Sequence, residues 1–96
     1  MTKGKVIIRH KVKDFSAWKP LFLGDAKRQR DAGFTHWHLM RNKHDPNEVV
    51  IIFESTDLDK AKQLTSDPSL AELMKKAGVQ DQPTFFFLEE IENKPL

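Results

Sequence analysis

The chain has 96 residues, of which 16 are basic and 14 acidic, and it contains no cysteine. One domain covering residues 1–96 is expected, with no disulfide framework, thiol nucleophile or cysteine-ligated metal. The charge balance provides no polycationic surface for nucleic acid, and no apolar run approaches the ~20 residues that span a bilayer. These properties predict a cytoplasmic protein that binds neither nucleic acid nor membrane.

A strand and a helix are predicted at the start of the chain. An apolar run marks the strand from Lys5 to Val12. Asp14 or Ser16 is the expected N-cap of the helix, and Gly33 is the expected stop. Apolar side chains recur in this helix at three- and four-residue spacing, which forms one buried stripe. They are Phe15, Trp18, Phe22 and Ala26.

A hairpin is predicted next, with strands Thr35–Arg41 and Glu48–Glu54 and a turn at Asp45-Pro46-Asn47. A register with Lys43 opposite Glu48 assigns the side chains to two faces. One face is expected to carry His36, His38, Met40, Val49, Ile51 and Phe53. The other is expected to carry Trp37, Leu39, Arg41, Val50, Ile52 and Glu54.

The second half of the chain predicts another helix and a last strand. Thr56-Asp57-Leu58-Asp59 resembles a capping box, Asp67-Pro68 restarts the helix, and Gly78 ends it. The last strand is predicted at Thr84–Ile91. The order β-α-β-β-α-β indicates a ferredoxin-like α+β fold, with a four-stranded antiparallel sheet and both helices on one face.

Three strand segments are apolar on both faces, namely Val6–Ile8, Val49–Phe53 and Thr84–Leu88. Unbroken apolar strands are covered on both sides, whereas the helices can cover only one. A second copy packed through a two-fold interface would cover the other face. Burying ~800 Å² per subunit in this way is worth on the order of 12 kcal/mol before association costs. We therefore predict a homodimer that forms an α+β barrel.

Three stretches of the chain resemble the dimeric α+β barrel superfamily, in particular its antibiotic-biosynthesis-monooxygenase-like proteins and small uncharacterised bacterial relatives. The resemblance covers nearly the whole chain. The stretches are Arg9-His10-Lys11-Val12-Lys13-Asp14-Phe15 with Trp18-Lys19 and Phe22; Arg41-Asn42 with Asp45-Pro46-Asn47-Glu48-Val49-Val50; and Ser66-Asp67-Pro68 with Ala77-Gly78-Val79.

The resemblance implies the fold and a range of small-molecule chemistry. Members oxidise polyketides, degrade haem, decompose chlorite, isomerise lactones or have no known role. The cofactor-free monooxygenases are thought to use Asn, Trp, Tyr or Arg groups around an aromatic substrate, and this chain has no tyrosine. The haem-degrading members combine an asparagine on the first strand with a tryptophan and a histidine. Here the first strand carries His10 and no asparagine, and no cofactor is predicted.

His10 and Arg41 are the candidate catalytic residues. Imidazole titrates near neutrality, so His10 is a candidate base or ligand-orienting group, with a buried structural histidine as the alternative. Arg41 is a candidate grip for a carboxylate or phenolate, with a salt bridge to Glu54 or Glu89 as the alternative. Four residues are predicted to bind the ligand, although the aromatic ones would equally serve as core. They are Trp18, Phe22, His38 and Phe53.

His36 and His38 are candidate metal ligands. They lie two residues apart on a strand and therefore share a face. His10 or His44 could in principle join them. No acidic residue or cysteine obviously completes the set, so exposed strand-edge histidines are the favoured alternative and no metal site is predicted.

Two functions remain open from the sequence. The first is a cofactor-independent monooxygenase or isomerase acting on an apolar or aromatic compound. The second is a non-catalytic dimeric module that binds a ligand or a protein. An RNA-recognition motif has the same element order but needs a basic-Gly-aromatic signature on its third strand, which Glu48–Glu54 lacks.

Overall fold

The computed structural model describes residues 3–96. Its elements in chain order are β1 (Gly4–Lys11), α1 (Phe15–Leu23), α2 (Ala26–Asp31), β2 (Phe34–Asn42), β3 (Asp45–Ser55), α3 (Leu58–Thr65), α4 (Pro68–Lys76) and β4 (Thr84–Glu89). The strands form an antiparallel sheet in the order β2-β3-β1-β4. The ferredoxin-like α+β fold is thus confirmed. The first predicted helix is divided in two, and the second restarts at Asp67-Pro68 as predicted. Within residues 3–96, no helix is long and apolar enough to cross a membrane.

The first predicted helix is not continuous, because α1 ends before Gly24. Asp14 caps its start as expected, accepting from the Ser16 N–H at 3.0 Å. Pro20 lies inside α1 and has no N–H to donate to a helical hydrogen bond. Gly24, four residues later, adds the entropic cost of fixing a glycine in a helix. The Gly24 N–H still donates to the Pro20 carbonyl at 3.0 Å, and the chain then turns into α2.

The remaining helix boundaries follow the sequence signals closely. Gly33 and Gly78 have φ angles of 88° and 86°, the left-handed conformation expected of C-terminal stops. Asp67 caps α4, with Pro68 at its first position. The predicted capping box is wrong in detail, because Asp57 itself caps α3 by accepting from two backbone N–H groups of the first turn.

The hairpin between β2 and β3 turns earlier than predicted. Asn42 pairs with Asp45, which leaves Lys43 and His44 as a two-residue turn. The Asn42 side-chain oxygen accepts from the His44 N–H at 2.8 Å, an asparagine turn that competes with the predicted Asp-Pro-Asn turn. Pro46 lies inside β3, where a register irregularity between Arg41 and Asn42 accommodates the extra residues.

The predicted register was therefore wrong by one residue, and such a slip moves every side chain of a strand to the opposite face. Leu39 pairs with Ile51 and Trp37 with Phe53. The face toward the helices carries Trp37, Leu39 and Arg41 with Val49, Ile51 and Phe53. The outer face carries His36, His38 and Met40 with Val50, Ile52 and Glu54.

The chain after α4 returns along the end of β1. Val12 and Val79 form an isolated antiparallel bridge. Beside it, the Lys13 N–H donates to the Gly78 carbonyl and the Gln80 N–H to the Lys11 carbonyl, both at 2.8 Å. This pairing fixes the C-terminal end of α4 to the strand immediately beyond His10.

The core lies between the helices and the sheet, whereas the outer face remains half open. Alternate residues of β1 and β3 are buried under the helices, including Val6, Ile8, Val49, Ile51 and Phe53. On the outer face, Met40 is 46% exposed, Phe86 49% and Leu88 44%. The doubly apolar strands thus have helical cover on one side only.

Candidate functional site

A cavity of about 60 Å³ lies between the sheet and the helices. Its lining is mostly apolar and aromatic, with four polar residues: His10, Asp25, Gln29 and Thr65. An apolar pocket with a few polar groups is the usual form of a small-molecule site. The cavity draws residues from β1, β3 and the helices, so the fold itself assembles it.

His10 is the most unusual side chain of this cavity. It lies opposite Val49 near the end of β1 and is 2% exposed. Among residues 3–96, neither of its ring nitrogens has a hydrogen-bond partner, and its ring meets Trp18 edge-on with centroids 5.5 Å apart. An unpaired buried polar group costs stability, which makes His10 a candidate for binding a polar group of a ligand.

Burial lowers the pKa of His10 from 6.5 to about 4. The Asp81 carboxylate opposes this shift and the neighbouring Arg9 cation adds to it, but desolvation is the largest cause. The imidazole is therefore neutral at pH 7, with one nitrogen that donates a hydrogen bond and one that accepts. Such a group can orient a hydroxyl or a carbonyl on a bound molecule.

An aromatic wall adjoins His10. Trp18 and Phe22 lie one turn apart on α1 and stack with centroids 5.1 Å apart. Phe22 packs against Phe53 of β3 at 6.1 Å, and Phe53 stacks on Phe34 at 4.3 Å. The structure thus brings together on one cavity four of the residues singled out from the sequence: His10, Trp18, Phe22 and Phe53.

Arg41 and His38 lie away from this cavity. Arg41 is near the end of β2, where its guanidinium sits 4.6 Å above the centroid of the Phe15 ring. His38 is on the outer face, with its Nε2 atom 3.9 Å from the Glu54 carboxylate. The sheet itself separates His38 from His10.

Three polar cavity residues were not identified from the sequence: Thr65 at the end of α3, and Gln29 and Asp25 in and before α2. Gln29 of α2 is 7% exposed, and its side-chain amide donates to the Phe22 carbonyl at 3.4 Å. Burial raises the pKa of Asp25, against the opposing effect of Arg28 at 3.3 Å. Gln29 and Asp25 both follow the break at Gly24, and only the spacing of Gln29 seven residues after Phe22 hinted at a shared face.

Arg9, adjacent to His10 in sequence, points to the outer face and is fully engaged. It contacts Glu48 at 2.6 Å and Asp81 at 3.0 Å. The Asp81 carboxylate also accepts from the Lys11 N–H at 2.8 Å. The hydrogen bond from Asn42 and the Arg9 cation lower the pKa of Glu48, and the hydrogen bond from the Lys11 N–H and the Arg9 cation lower the pKa of Asp81. The network is structural and lies outside the cavity.

No family model and no curated protein matches the chain. Several solved structures do. SnoaB, a cofactor-independent oxygenase from Streptomyces nogalater, is 17% identical over 98% of this chain and 100% of that chain, with a TM-score of 0.69. A second structure, of an antibiotic biosynthesis monooxygenase, is 18% identical over 92% and 98%, with a TM-score of 0.66.

A third solved structure has a higher TM-score and a lower identity. It is a Bordetella bronchiseptica protein provisionally assigned as an antibiotic biosynthesis monooxygenase, 11% identical over 96% of this chain and 100% of that chain, with a TM-score of 0.76. At such identities the likeness establishes the fold, and the resemblance inferred from the sequence is confirmed at that level. The chain therefore has the ferredoxin-like α+β fold of the antibiotic-biosynthesis-monooxygenase-like proteins.

Proposed function

We propose that the chain binds an apolar or aromatic small molecule between the helices and the sheet, and acts on it as a cofactor-independent monooxygenase. The observation that carries this proposal is His10, which is 2% exposed and has no hydrogen-bond partner among residues 3–96. A hydroxyl or carbonyl group of a ligand would supply that partner. Trp18, Phe22 and Phe53 would hold its ring.

The oxygenation needs only two things from the protein, which are a polar group that binds the substrate and a cavity that excludes water. A neutral His10 accepts a proton from a phenol or enol, and the resulting anion reacts with O₂. One oxygen atom becomes a carbonyl on a carbon that loses two hydrogens, and the other leaves as water with them. The substrate is the reductant. His10 is a weak base in the empty cavity, and an anion forming beside it would raise its pKa.

The cavity volume limits the size of the ligand that can bind without movement of the lining side chains. At about 60 Å³ the cavity is smaller than the engineered cavity of about 150 Å³ that binds benzene in another protein. A ring must therefore displace lining side chains, and Met74 and Leu21 suit this because methionine is flexible and Leu21 is 40% exposed. The low pKa of His10 is the observation that favours the second candidate, a non-catalytic module that binds a ligand or a protein.

A homodimer through the outer face is part of the proposal. Met40 of β2 and Phe86 and Leu88 of β4 are 46%, 49% and 44% exposed there, and exposed large apolar side chains on one sheet face indicate an interface. Multi-angle light scattering should give the mass of two chains at micromolar concentration. Phe86→Glu should give the mass of one chain, because the interface would have to bury a charge. A wild-type mass of one chain would contradict the dimer.

The decisive experiment measures ligand binding and O₂ consumption together. Polycyclic phenols and hydroquinones are screened by thermal shift, and an oxygen electrode then follows O₂ uptake with each compound that raises the melting temperature. His10→Phe keeps an aromatic ring without nitrogens and should lower turnover by about 100-fold or more. His44→Ala replaces an exposed histidine of the hairpin turn and should leave turnover unchanged.

The outcomes separate the two candidates. His10-dependent O₂ uptake supports the monooxygenase. Ligand binding that depends on His10 without O₂ uptake supports the non-catalytic module. If no phenolic compound raises the melting temperature of the wild type, or if His10→Phe binds and turns over like the wild type, the assignment of the cavity is wrong. Circular dichroism confirms that each variant is folded.

A further inference from the structure

Two histidines and a glutamate meet on the outer face of the sheet, opposite the cavity. His36 and His38 share this face of β2, and Glu54 of β3 is the direct cross-strand partner of His36. The two imidazole centroids are 4.8 Å apart. One ligand atom from each of the three residues lies within 4.8 Å of the other two.

We infer that His36, His38 and Glu54 form a binding site for one divalent transition-metal ion of the zinc class. Imidazole nitrogen and carboxylate oxygen bind Zn²⁺ at about 2.0–2.2 Å, which places tetrahedral ligand atoms about 3.3 Å apart. Exposed side chains can close the remaining gap by rotation. Three protein ligands leave the fourth position to water. The same donors suit Cu²⁺ and Ni²⁺ and disfavour Ca²⁺ and Mg²⁺.

Within one chain the surroundings leave these ligands available. They lie on the edge strand β2 and on its neighbour β3, on the outer face that the proposed homodimer would cover, so the site requires that the dimer leave this corner of the sheet open. Lys5 of β1 is the other cross-strand neighbour of Glu54, but its ammonium group pairs with Glu90 at 3.2 Å. Within residues 3–96, His38 is the only ion-pair partner of Glu54, at 3.9 Å. Both histidines are exposed, and no hydrogen bond within that range engages either imidazole. A metal ion would therefore displace no strong existing interaction.

Strand pairing brings His36, His38 and Glu54 together, because the sheet fixes the backbone positions of all three residues. Cross-strand pairing places Glu54 directly opposite His36 and diagonally opposite His38, within reach of both side chains. Only this register unites the three residues, since a shift of β2 by one position would turn both histidines toward the helices. The site is independent of His10, which lies on the other face.

The test uses protein without an affinity tag, stripped with EDTA and titrated with ZnCl₂ by calorimetry. We expect one Zn²⁺ per chain. His36→Ala and His38→Ala should each weaken binding by about 100-fold or more, and Glu54→Gln by about 10-fold or more, since even loss of an outer-sphere partner costs 10–100-fold. His44→Ala is the matched control and should bind like the wild type. Visible absorption of the Co²⁺ form reports the ligand set, free of thiolate contributions because the chain has no cysteine.

Three results would overturn the site. They are no saturable binding at equimolar Zn²⁺, unchanged affinity in His36→Ala and His38→Ala, or an equal loss in His44→Ala. Circular dichroism shows whether each variant is folded. If an alanine variant unfolds, His36→Gln and His38→Gln replace it, and retained affinity in those variants would equally exclude the site.

Discussion

The two faces of the sheet hold histidines in opposite circumstances. His10, on the helix face, is buried among aromatic rings, and neither of its nitrogens has a partner in the part of the chain that the structure describes. His36 and His38, on the outer face, are exposed and lie beside a carboxylate. Burial keeps His10 neutral and suited to a ligand's hydroxyl, whereas the exposure of the other pair in the single chain leaves both imidazoles free to bind a cation. Side chains alternate between the two faces of a strand, and this alternation alone gives histidines of the same sheet two different chemical environments.

Truncating one aromatic residue on each face should give the largest contrast. Phe53 is 2% exposed and stacked on Phe34 at 4.3 Å, so Phe53→Ala should lower the free energy of unfolding by about 3–5 kcal/mol. Phe86 is 49% exposed, and Phe86→Ala should cost less than about 1.5 kcal/mol at high dilution. Urea denaturation measures both. Equal losses would show that the core is not confined to the helix face.

The pH dependence of stability should isolate His10. The pKa of His10 falls from 6.5 to about 4 on folding. Between these pH values the imidazole is therefore protonated in the unfolded chain and neutral in the folded protein. The contribution of the neutral ring is complete above pH 6.5 and is lost as the pH falls toward 4. At 1.36 kcal/mol per pKa unit the loss is at most about 3 kcal/mol.

His10→Phe should abolish that part of the slope, whereas His38→Phe should retain it. Comparison with the wild type cancels the titration of carboxylates, which continues to lower pH. Urea denaturation at pH 7, 5.5 and 4 provides the measurement. A slope in His10→Phe identical to that of the wild type would mean that His10 is not buried as a neutral ring.

Arg41 offers a smaller test at the edge of the helix face. Its guanidinium lies 4.6 Å from the Phe15 centroid, and such a contact is worth about 0.5–1 kcal/mol at an exposed site. Arg41→Gln should lower stability by that amount. A double-mutant cycle with Phe15→Leu measures the coupling directly. Zero coupling energy between Arg41 and Phe15 would favour the other predicted role of Arg41, which is binding a carboxylate or phenolate.

His38→Ala should have the smallest effect. In metal-free protein we expect a change in the free energy of unfolding below about 0.5 kcal/mol, because exposed substitutions away from caps and networks are nearly neutral. With excess Zn²⁺ the wild type should melt at higher temperature and the variant should not. A variant stabilised by Zn²⁺ as much as the wild type would place the ion elsewhere.

The fold and part of the cavity were predictable because their signals are local. The doubly apolar strands and the aspartate caps specified the element order, and the helical spacing of Trp18 and Phe22 placed both on the buried stripe. His10 lies between Ile8 and Val12 on one face of a strand, so its burial followed from alternation.

The hairpin register was not predictable, since two turn signals overlap. Asn42 and Asp45-Pro46-Asn47 can each start a tight turn, and residue preferences alone do not decide between them. That choice decides whether Arg41 points to the helices and whether Glu54 joins His36. The packing of the short α2, which brings Gln29 into the cavity, depends on the break at Gly24 and has no comparable sequence signal.

The bridge between Val12 and Val79 governs how the cavity can open. It and its two flanking hydrogen bonds anchor the last turn of α4 to β1, while Leu70 at the other end of α4 lines the cavity. We therefore expect a widening motion to leave the Ala77 end of the helix in place and to pivot the Pro68 end outward. Ligand entry would then be a hinge motion of one helix, of the kind that occurs in microseconds to milliseconds, with the sheet left intact.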